Sequence, residues 1–435
     1  MSDVIQLKAS WVTKKITEIL KREGVGRGFL KIYIKCMFHS LALLIAYTIV
    51  FLSPWVRIRF VKLINQRIGH YALNTELLLC GFDEGVYEGK RSTFFYTYDP
   101  RHHPICNTQL HLMWKRVIPI LPFPLFIQRI DDYIKLIKPK YYENDIVKKR
   151  FERAIGCEDN HFLLRKQKKS HLFLTKKEIR KGEEMLEKMG LSTSSRFICL
   201  MVRDDGYLKW HLPNGDWAYH DHRDADVDDY QKAAEFLADQ GYYVIRMGKH
   251  VNKRFNVKHP RIIDYADSVF SSDFMDVYLV ANCYFMISTS CGLDGVAQVF
   301  RKPLLITDIP VCSVKYEYAW RLFIPRKLCE KRSRRPLSFS NLRVIFENEN
   351  KFISEIIKEK DLFFISNSPD EILEATKEML NLLAGEWVQT KENNFLQEKF
   401  WISLIKEMPS NLKSSVMLPQ VGADFLKRNQ MLFEL

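Results

Sequence analysis

The sequence predicts an α/β fold of two Rossmann-like lobes with an N-terminal hydrophobic helix. Three observations predict it. Short apolar strands alternate with amphipathic helices over most of the chain, glycine-bearing turns sit at strand ends, and an uncharged run precedes the first strand. Strands alternating with helices at this density form a mostly parallel sheet covered on both faces. With 435 residues and 47% hydrophobic content, the chain can bury a large core and divide into two or three domains.

The first element lies in residues 1–56. No residue from Cys36 to Val56 is charged, and Lys31, Lys35, Arg57 and Arg59 flank the run. About 20 such residues suffice to cross a bilayer. Three readings compete: a spanning helix, a shallow anchor broken near Ser53-Pro54, and a greasy helix buried within the protein. Basic residues on both flanks give the positive-inside rule no direction. A peripheral or monotopic anchor is preferred, because it keeps the chain on the cytoplasmic face of the inner membrane, where anionic lipid meets the basic flanks.

Residues 57–190 read as a first lobe and a bridge. Ile58 to Ile64 is strand-like, Gln66 to His70 is a tight turn, and Tyr71 to Cys80 is helical, closing at Gly81. A second unit follows, with TFFYTY as a strand, a loop holding Arg101, His102, His103 and Asn107, and the helix-like LHLMWKRV. The proline-bearing stretch from Ile118 to Leu125 resists assignment. LTKKEIRKGEEMLEKMG is helical, with Gly190 as its stop.

Residues 191–383 read as a second Rossmann-like lobe. FICLMV, YYVIRMG, RIIDYA, YFMIS and PLLIT are short strands. Between them, Asp228 to Gln240 places Tyr230, Ala233, Ala234 and Leu237 at helical spacing, Ser272 caps a helix, and Leu293 to Phe300 is a short helix. Residues 384–435 form a helical tail expected to pack back on the first lobe.

The 66 basic against 52 acidic residues leave +14, which suits an anionic partner: a nucleic acid, a phospholipid surface or a phosphorylated substrate. Nine cysteines are scattered singly, without metal-finger spacing, which fits a reducing cytoplasm and buried packing. No HExxH, GxxxxGK[ST], GxSxG or zinc pattern occurs.

The most informative stretch, Ser288-Thr289-Ser290-Cys291-Gly292-Leu293, falls between a strand and a helix. Small residues there expose main-chain N–H groups to a phosphate or pyrophosphate. An ordinary turn capped by Ser290 is the competing reading. Arg203 ends one strand, and Arg246 and Lys249 end the next, so all three are expected at the same sheet edge. Asp224-Ala225-Asp226 looks like a metal-binding pair, but Asp226 ahead of a helix is better explained as its cap, and no metal ligand is assigned. His70 is the candidate base, since neutral imidazole accepts a hydroxyl proton near pH 7. A cap on the following helix competes for His70, and Asp204 and Asp205 are rival bases.

QRIGHYALNTE, MVRDDGY, DYQKAAEFLADQGYYVIRMGK, RIIDYADS, SDFMDVYL, STSCGLDGVAQVF and NSPDEILEATKEML occur in this order between about Arg57 and Leu383. Together they resemble a family of glycosyltransferases from bacterial surface-polysaccharide gene clusters. The resemblance implies a GT-B-like architecture, with a glycan or lipid-linked acceptor on the first lobe and a nucleotide-sugar donor on the second. The nucleotide sugar is then substrate, and no cofactor is expected. One departure is Cys291-Gly292-Leu293-Asp294, where a plainer serine-glycine-leucine turn is expected. Two other functions stand beside this one: a non-catalytic binding or scaffold protein in polysaccharide assembly, and nucleic-acid binding. The last is not expected, for lack of a recognition helix or an aromatic-basic sheet motif.

Overall fold

The computed structural model describes residues 25–87, 94–100, 105–143, 145, 147, 159–211, 222–315, 319–346, 351–404 and 418–433. Arg101, His102, His103, Cys157 and residues 216–221 of the aspartate-rich stretch lie outside them. By packing, the chain divides into two compact units. One holds Met1–Ile64, Tyr87–Pro104 and Ile118–Ile155; the other holds Asn65–Val86, Ile105–Val117 and Gly156–Leu435.

The first unit contains two parallel strands, β1 (Arg59–Leu63) and β2 (Phe94–Tyr98), paired from Arg59 opposite Phe94 to Leu63 opposite Tyr98. The helix Val25–Leu52 packs through Ala42 and Ala46 on Ile130 and Ile134 of the helix Pro124–Ile137. Over Gly26–Leu52 this first helix is long and apolar enough to cross a membrane by length and composition, with a mean hydropathy of 1.8. It ends just before Ser53-Pro54, where proline has no N–H to continue the ladder. The stretch from Ile118 to Leu125 resolves as a bridge from Ile120 to Tyr96, then Pro124 in the first turn of a helix, where its missing N–H leaves nothing unpaired. Where a full Rossmann-like sheet was expected, two strands are found among the described residues of this unit.

Among its described residues the second unit is built on an eight-stranded sheet. Its strands are β3 (Phe197–Met201), β4 (Tyr243–Arg246), β5 (Ile262–Asp264), β6 (Met286–Ser288), β7 (Leu304–Pro310), β8 (Leu322–Glu330), β9 (Leu362–Ile365) and β10 (Gln420–Val421). They are ordered β10-β8-β7-β6-β3-β4-β5, with β9 antiparallel on β8 and every other pair parallel. β6 and β7 are buried along their whole length, as central strands covered on both faces must be. Six strands in chain order thus run β5-β4-β3-β6-β7-β8, the doubly wound order that reverses direction between its first and fourth strands, here β3 and β6.

The helices follow from local chemistry. The Ser272 hydroxyl accepts from the Met275 N–H, Thr175 and Glu178 form a reciprocal capping box, and Gly190 takes a left-handed φ of 87° just past its helix. Gly182 lies beneath the Tyr278 ring, where a Cβ would come within 1.9 Å. That close approach explains a glycine inside a helix.

Two segments are placed differently from the sequence reading. Asn65–Val86, expected within the first lobe, packs in this unit: Leu73, Leu77 and Cys80 cluster with Leu163 and Leu164. Its helix begins as a π-turn over His70–Asn74, then runs as α-helix from Thr75 through Gly81 to Asp83. The tail also joins this unit. β10 extends the sheet beside β8, and Phe400 and Trp401 bury against Phe323 with ring centroids 5.8 and 5.9 Å away.

Candidate functional site at the β3–β6 edge

β3 and β6 are neighbours whose following segments leave in opposite directions around the sheet, so their carboxyl ends mark the point where the strand order reverses. Arg203 follows β3, and Thr289 to Gly292 follow β6. The main-chain N–H of Arg203 donates to the Thr289 hydroxyl at 2.9 Å, so the two strand ends are tied directly. The Arg203 guanidinium pairs with Asp224.

Arg223, which the sequence reading passed over, reaches the same place: its guanidinium donates to the Ser290 carbonyl. A buried network holds its loop. Arg326, on β8, donates to the carbonyls of His222 at 2.8 Å and Asp224, and to Asp308 Oδ1 at 3.1 Å. Asp308 sits where the β7–β8 register shifts, with φ 53°, and also accepts from the Tyr230 hydroxyl at 2.8 Å and the Asn367 N–H at 2.8 Å. A fully buried carboxylate with this many donors and a guanidinium partner is satisfied in place. Its effect is to set Arg223 and Asp224 over the β3–β6 edge.

The loop after β6 is internally braced. Ser288 donates its hydroxyl to Asp294 Oδ1, and the Cys291 N–H donates to Asp294 Oδ2 at 2.9 Å. Burial pushes the Asp294 carboxyl up to about 6, against the pull of these two bonds. Ser288 and Thr289 therefore brace the strand ends with their hydroxyls. Ser290 is not the cap: it stands in the left-handed region, φ 58°, and Gly292 occupies the N-cap position of the helix Leu293–Val299. Ser290 is half-buried, Gly292 exposed and Leu293 buried. The departure at Asp294 noted in the sequence thus has a structural role in the turn.

The turn at Gly69 lies against this loop. A Cβ on Gly69 would stand 2.9 Å from the Gly292 Cα and oxygen, and one on Gly295 would stand 2.8 Å from the Gly69 oxygen. Three glycines let two main chains touch, and His70 follows immediately. Burial, together with nearby Arg67, lowers the His70 pKa below its usual 6.5, so the ring is neutral at pH 7.

The other expected site residues are committed elsewhere. Arg246 is buried and donates to Asp264 Oδ1 and the Lys253 carbonyl, both at 3.1 Å. Lys249 pairs with Asp273 at 2.8 Å, and Asp273 also accepts from the N–H and hydroxyl of Thr108. Asp204 accepts from the Gly206 N–H at 3.0 Å and the Asn252 N–H at 2.9 Å, which uses both its oxygens to brace the turn; Asp205 pairs with Lys209 at 2.6 Å. Asp226 caps its helix through the Asp228 N–H and pairs with Lys253, as expected of a cap.

Among the described residues, Glu76, Cys80 and His171 bring a carboxylate, a thiol and an imidazole within 4.8 Å of one another. Arg301 already supplies a cation there, donating to Glu76 Oε1 at 2.7 Å, and His171 lies 3.2 Å from Glu76 and 2.7 Å from Asp83. Arg301 and His171 are thus the charged partners of Glu76 in an ion-pair network.

No protein-family model matches the chain, and no curated protein does. Among solved structures, it is similar to the ADP-heptose lps heptosyltransferase II of E. coli, at 15% identity over 76% of this chain and 99% of that one, with a TM-score of 0.37. It is also similar to a glycosyl transferase family 9 protein from Veillonella parvula DSM 2008, at 12% identity over 73% and 80% of the two chains, TM-score 0.33. A third is the E. coli heptosyltransferase WaaC with ADP, at 10% identity over 58% and 88%, TM-score 0.30. These are loose likenesses.

Proposed function

We propose that the edge at the carboxyl ends of β3 and β6 binds the diphosphate of a nucleotide sugar, and that the chain is a glycosyltransferase acting on a surface-polysaccharide or lipid-linked glycan acceptor. The observation that carries the reading is the reversal of strand order at β3 and β6, with Arg203, Arg223 and the turn at Ser290 to Gly292 gathered there. Open parallel sheets bind ligands at such a reversal. The turn after β3 reads Val202-Arg203-Asp204-Asp205-Gly206, without the three spaced glycines of a dinucleotide-binding turn, which favours a mononucleotide donor over a redox cofactor.

In this reading the two guanidiniums offset the charge that develops on the departing diphosphate, a task that fixed cations perform without a metal. His70, neutral and beside the loop, takes the proton from the attacking acceptor hydroxyl. The enzyme works at the cytoplasmic face of the inner membrane, held there by its apolar helix. A non-catalytic scaffold is the second reading, favoured by Asp224 and Asp294, which offset the charges of Arg203 and Arg223.

A thermal-stability screen of nucleotide sugars tests donor binding, since a ligand at about 100 times its dissociation constant adds about 2.7 kcal/mol. Stabilisation that persists with a chelator, and is lost in Arg223→Ala, is the expected outcome. If no nucleotide or nucleotide sugar stabilises the protein, the donor site is wrong. Donor binding without transfer to any glycan-lipid acceptor selects the scaffold.

A further inference from the structure

From Phe38 to Val50 the helix Val25–Leu52 has one covered face and one bare face, and ahead of Phe38 it is exposed on nearly all sides. On the covered side Ala42, Ala46 and Ile49 pack with Ile130 and Ile134, Phe38 meets Phe126 edge-on at 4.8 Å, and His39 Nδ1 is 2.8 Å from the Tyr133 hydroxyl. On the other side Leu30, Tyr33, Met37, Leu41, Leu44 and Phe51 are all exposed, Phe51 by 72%. These residues follow one another at helical spacing, so they form a continuous apolar stripe. Trp55, 73% exposed and with its ring 6.1 Å from that of Phe51, extends it. The Thr48 hydroxyl donates to the Leu44 carbonyl and so presents no unpaired donor beside the stripe.

The covering helix, Pro124–Ile137, turns charge outward. Arg129 and Asp132 are each nearly half exposed and lie 3.5 Å apart, and Lys135 pairs with Asp131 at 3.5 Å. The uncharged run able to span a bilayer begins at Cys36, and this charged helix packs along it from Phe38 to Val50. A perpendicular crossing would carry Arg129, Asp131, Asp132 and Lys135 into hydrocarbon, where charged side chains are costly. Lying flat avoids that. The stripe then enters the acyl boundary while the covered face keeps its partner. The charge pattern fits an anionic leaflet: the helix carries Arg27, Lys31 and Lys35 and no acidic residue, and Lys138 reaches its far end, 3.1 Å from the Ser53 hydroxyl.

We propose that this stripe, from Leu30 to Trp55, is a docking surface that lies in the plane of an anionic membrane leaflet without crossing it. The proposal rests on the peripheral placement given above and uses none of the donor-site residues.

Full-length protein is floated with phosphatidylcholine vesicles with and without phosphatidylglycerol, and donor stabilisation is measured on the same preparation. The wild type should float with the anionic vesicles and less so in high salt. Leu44→Glu/Phe51→Glu should lose about tenfold or more of that binding. Both positions are exposed, so unchanged thermal unfolding marks the variant as folded. In membrane vesicles from producing cells, N- and C-terminal tags should be cleaved together in inside-out vesicles and protected together in right-side-out ones. Tags on opposite sides would establish a spanning helix and overturn the proposal. So would a protein that floats with neither vesicle, or a lipid-free dimer that the stripe variant converts to monomer without any vesicle binding. Donor stabilisation surviving in those cases would leave the glycosyltransferase reading standing; its loss with vesicle binding intact would remove that reading alone.

Discussion

The main-chain N–H of Arg203 donates to the hydroxyl of Thr289 at 2.9 Å, and this bond joins the ends of β3 and β6 where the strand order reverses. Ladder pairing stops at Met201 opposite Ser288, so the side chain of Thr289 carries the link one residue further. It holds the Arg203 side chain and the Ser290 turn in a fixed relation, and both belong to the proposed diphosphate site.

Thr289→Val keeps the shape and removes the acceptor. A buried N–H left unpaired costs about 1–3 kcal/mol, so the unfolding free energy measured with denaturant should fall by that amount, while Thr289→Ser should restore most of it. Donor affinity should weaken in the valine variant even where it is fully folded. Equal stability of all three proteins would mean the bond is dispensable.

The arginines divide by partner. Arg246→Ala breaks a buried pair, and stability should drop toward the lower end of the about 3–5 kcal/mol such breaks cost, because Asp264 keeps some solvent contact. The folded fraction should bind donor normally. Arg223→Ala should instead raise the donor dissociation constant, by about 1.5–3 kcal/mol for a charge-assisted contact, with little change in unfolding. The reverse pattern in a titration of both variants would return Arg246 to the site.

In the second sheet β3 to β7 were legible from their apolar runs, and the Ser272 and Asp226 caps from residue type and position; β8 and β9 were not read as strands, and β10 lies in a tail read as helical. The role of Arg246 was not legible either: the sequence places it beside the donor phosphate, whereas β4 and β5 run parallel with Arg246 directly opposite Asp264, and the two side chains pair across the strands. Arg223 was not legible. It stands in a polar run that reads as loop, and its placement depends on Arg326, about a hundred residues later, and on a bulge at Asp308 that no local pattern announces. The contact of Gly69 with Gly292 is likewise tertiary, joining segments more than two hundred residues apart. That contact moved His70 from an expected first lobe to the edge of the second sheet.

His70→Ala should lower turnover by about 10²- to 10⁴-fold with donor affinity unchanged, as loss of a general base does. Because burial lowers the His70 pKa, the wild-type rate should be lost on acidification only below pH 6.5. Asp204→Ala should loosen the Gly206 and Asn252 turns and lower stability, leaving the pH dependence of the residual rate in place. A rate that survives without His70 but fails without Asp204 would exchange their roles.

Asp294 gives the site a pH dependence of opposite sense in binding. Its carboxyl is buried, braced by Ser288 and Cys291, and raised from 3.8 to about 6. Below that value it is neutral, and the turn beside it should hold a diphosphate more strongly; above it, its charge opposes the donor. Affinity for a nucleotide sugar, whose diphosphate is fully ionised throughout, should therefore rise as pH falls from 7 to 5. Asp294→Asn, which keeps the shape of the turn, should bind at pH 7 as the wild type does at pH 5. Folding gives an independent readout. The native carboxyl holds its proton up to about 6 and the unfolded one only to 3.8, so stability from this group is fully present below pH 4 and is lost as pH rises to 6. At 1.36 kcal/mol per unit the difference is about 3 kcal/mol. Burial raises Asp229, Asp276 and Glu378 in the same direction, while Asp205, Asp226, Asp273 and Asp370 are lowered and act in the opposite one, so the difference between wild type and Asp294→Asn isolates this group. His70→Ala, titrated alongside, removes the competing contribution of an imidazole that gains charge as pH falls. If affinity stays flat between pH 5 and 7 in the His70→Ala background, and Asp294→Asn leaves it flat and equal, then the turn after β6 does not face the diphosphate and the donor lies elsewhere on this edge.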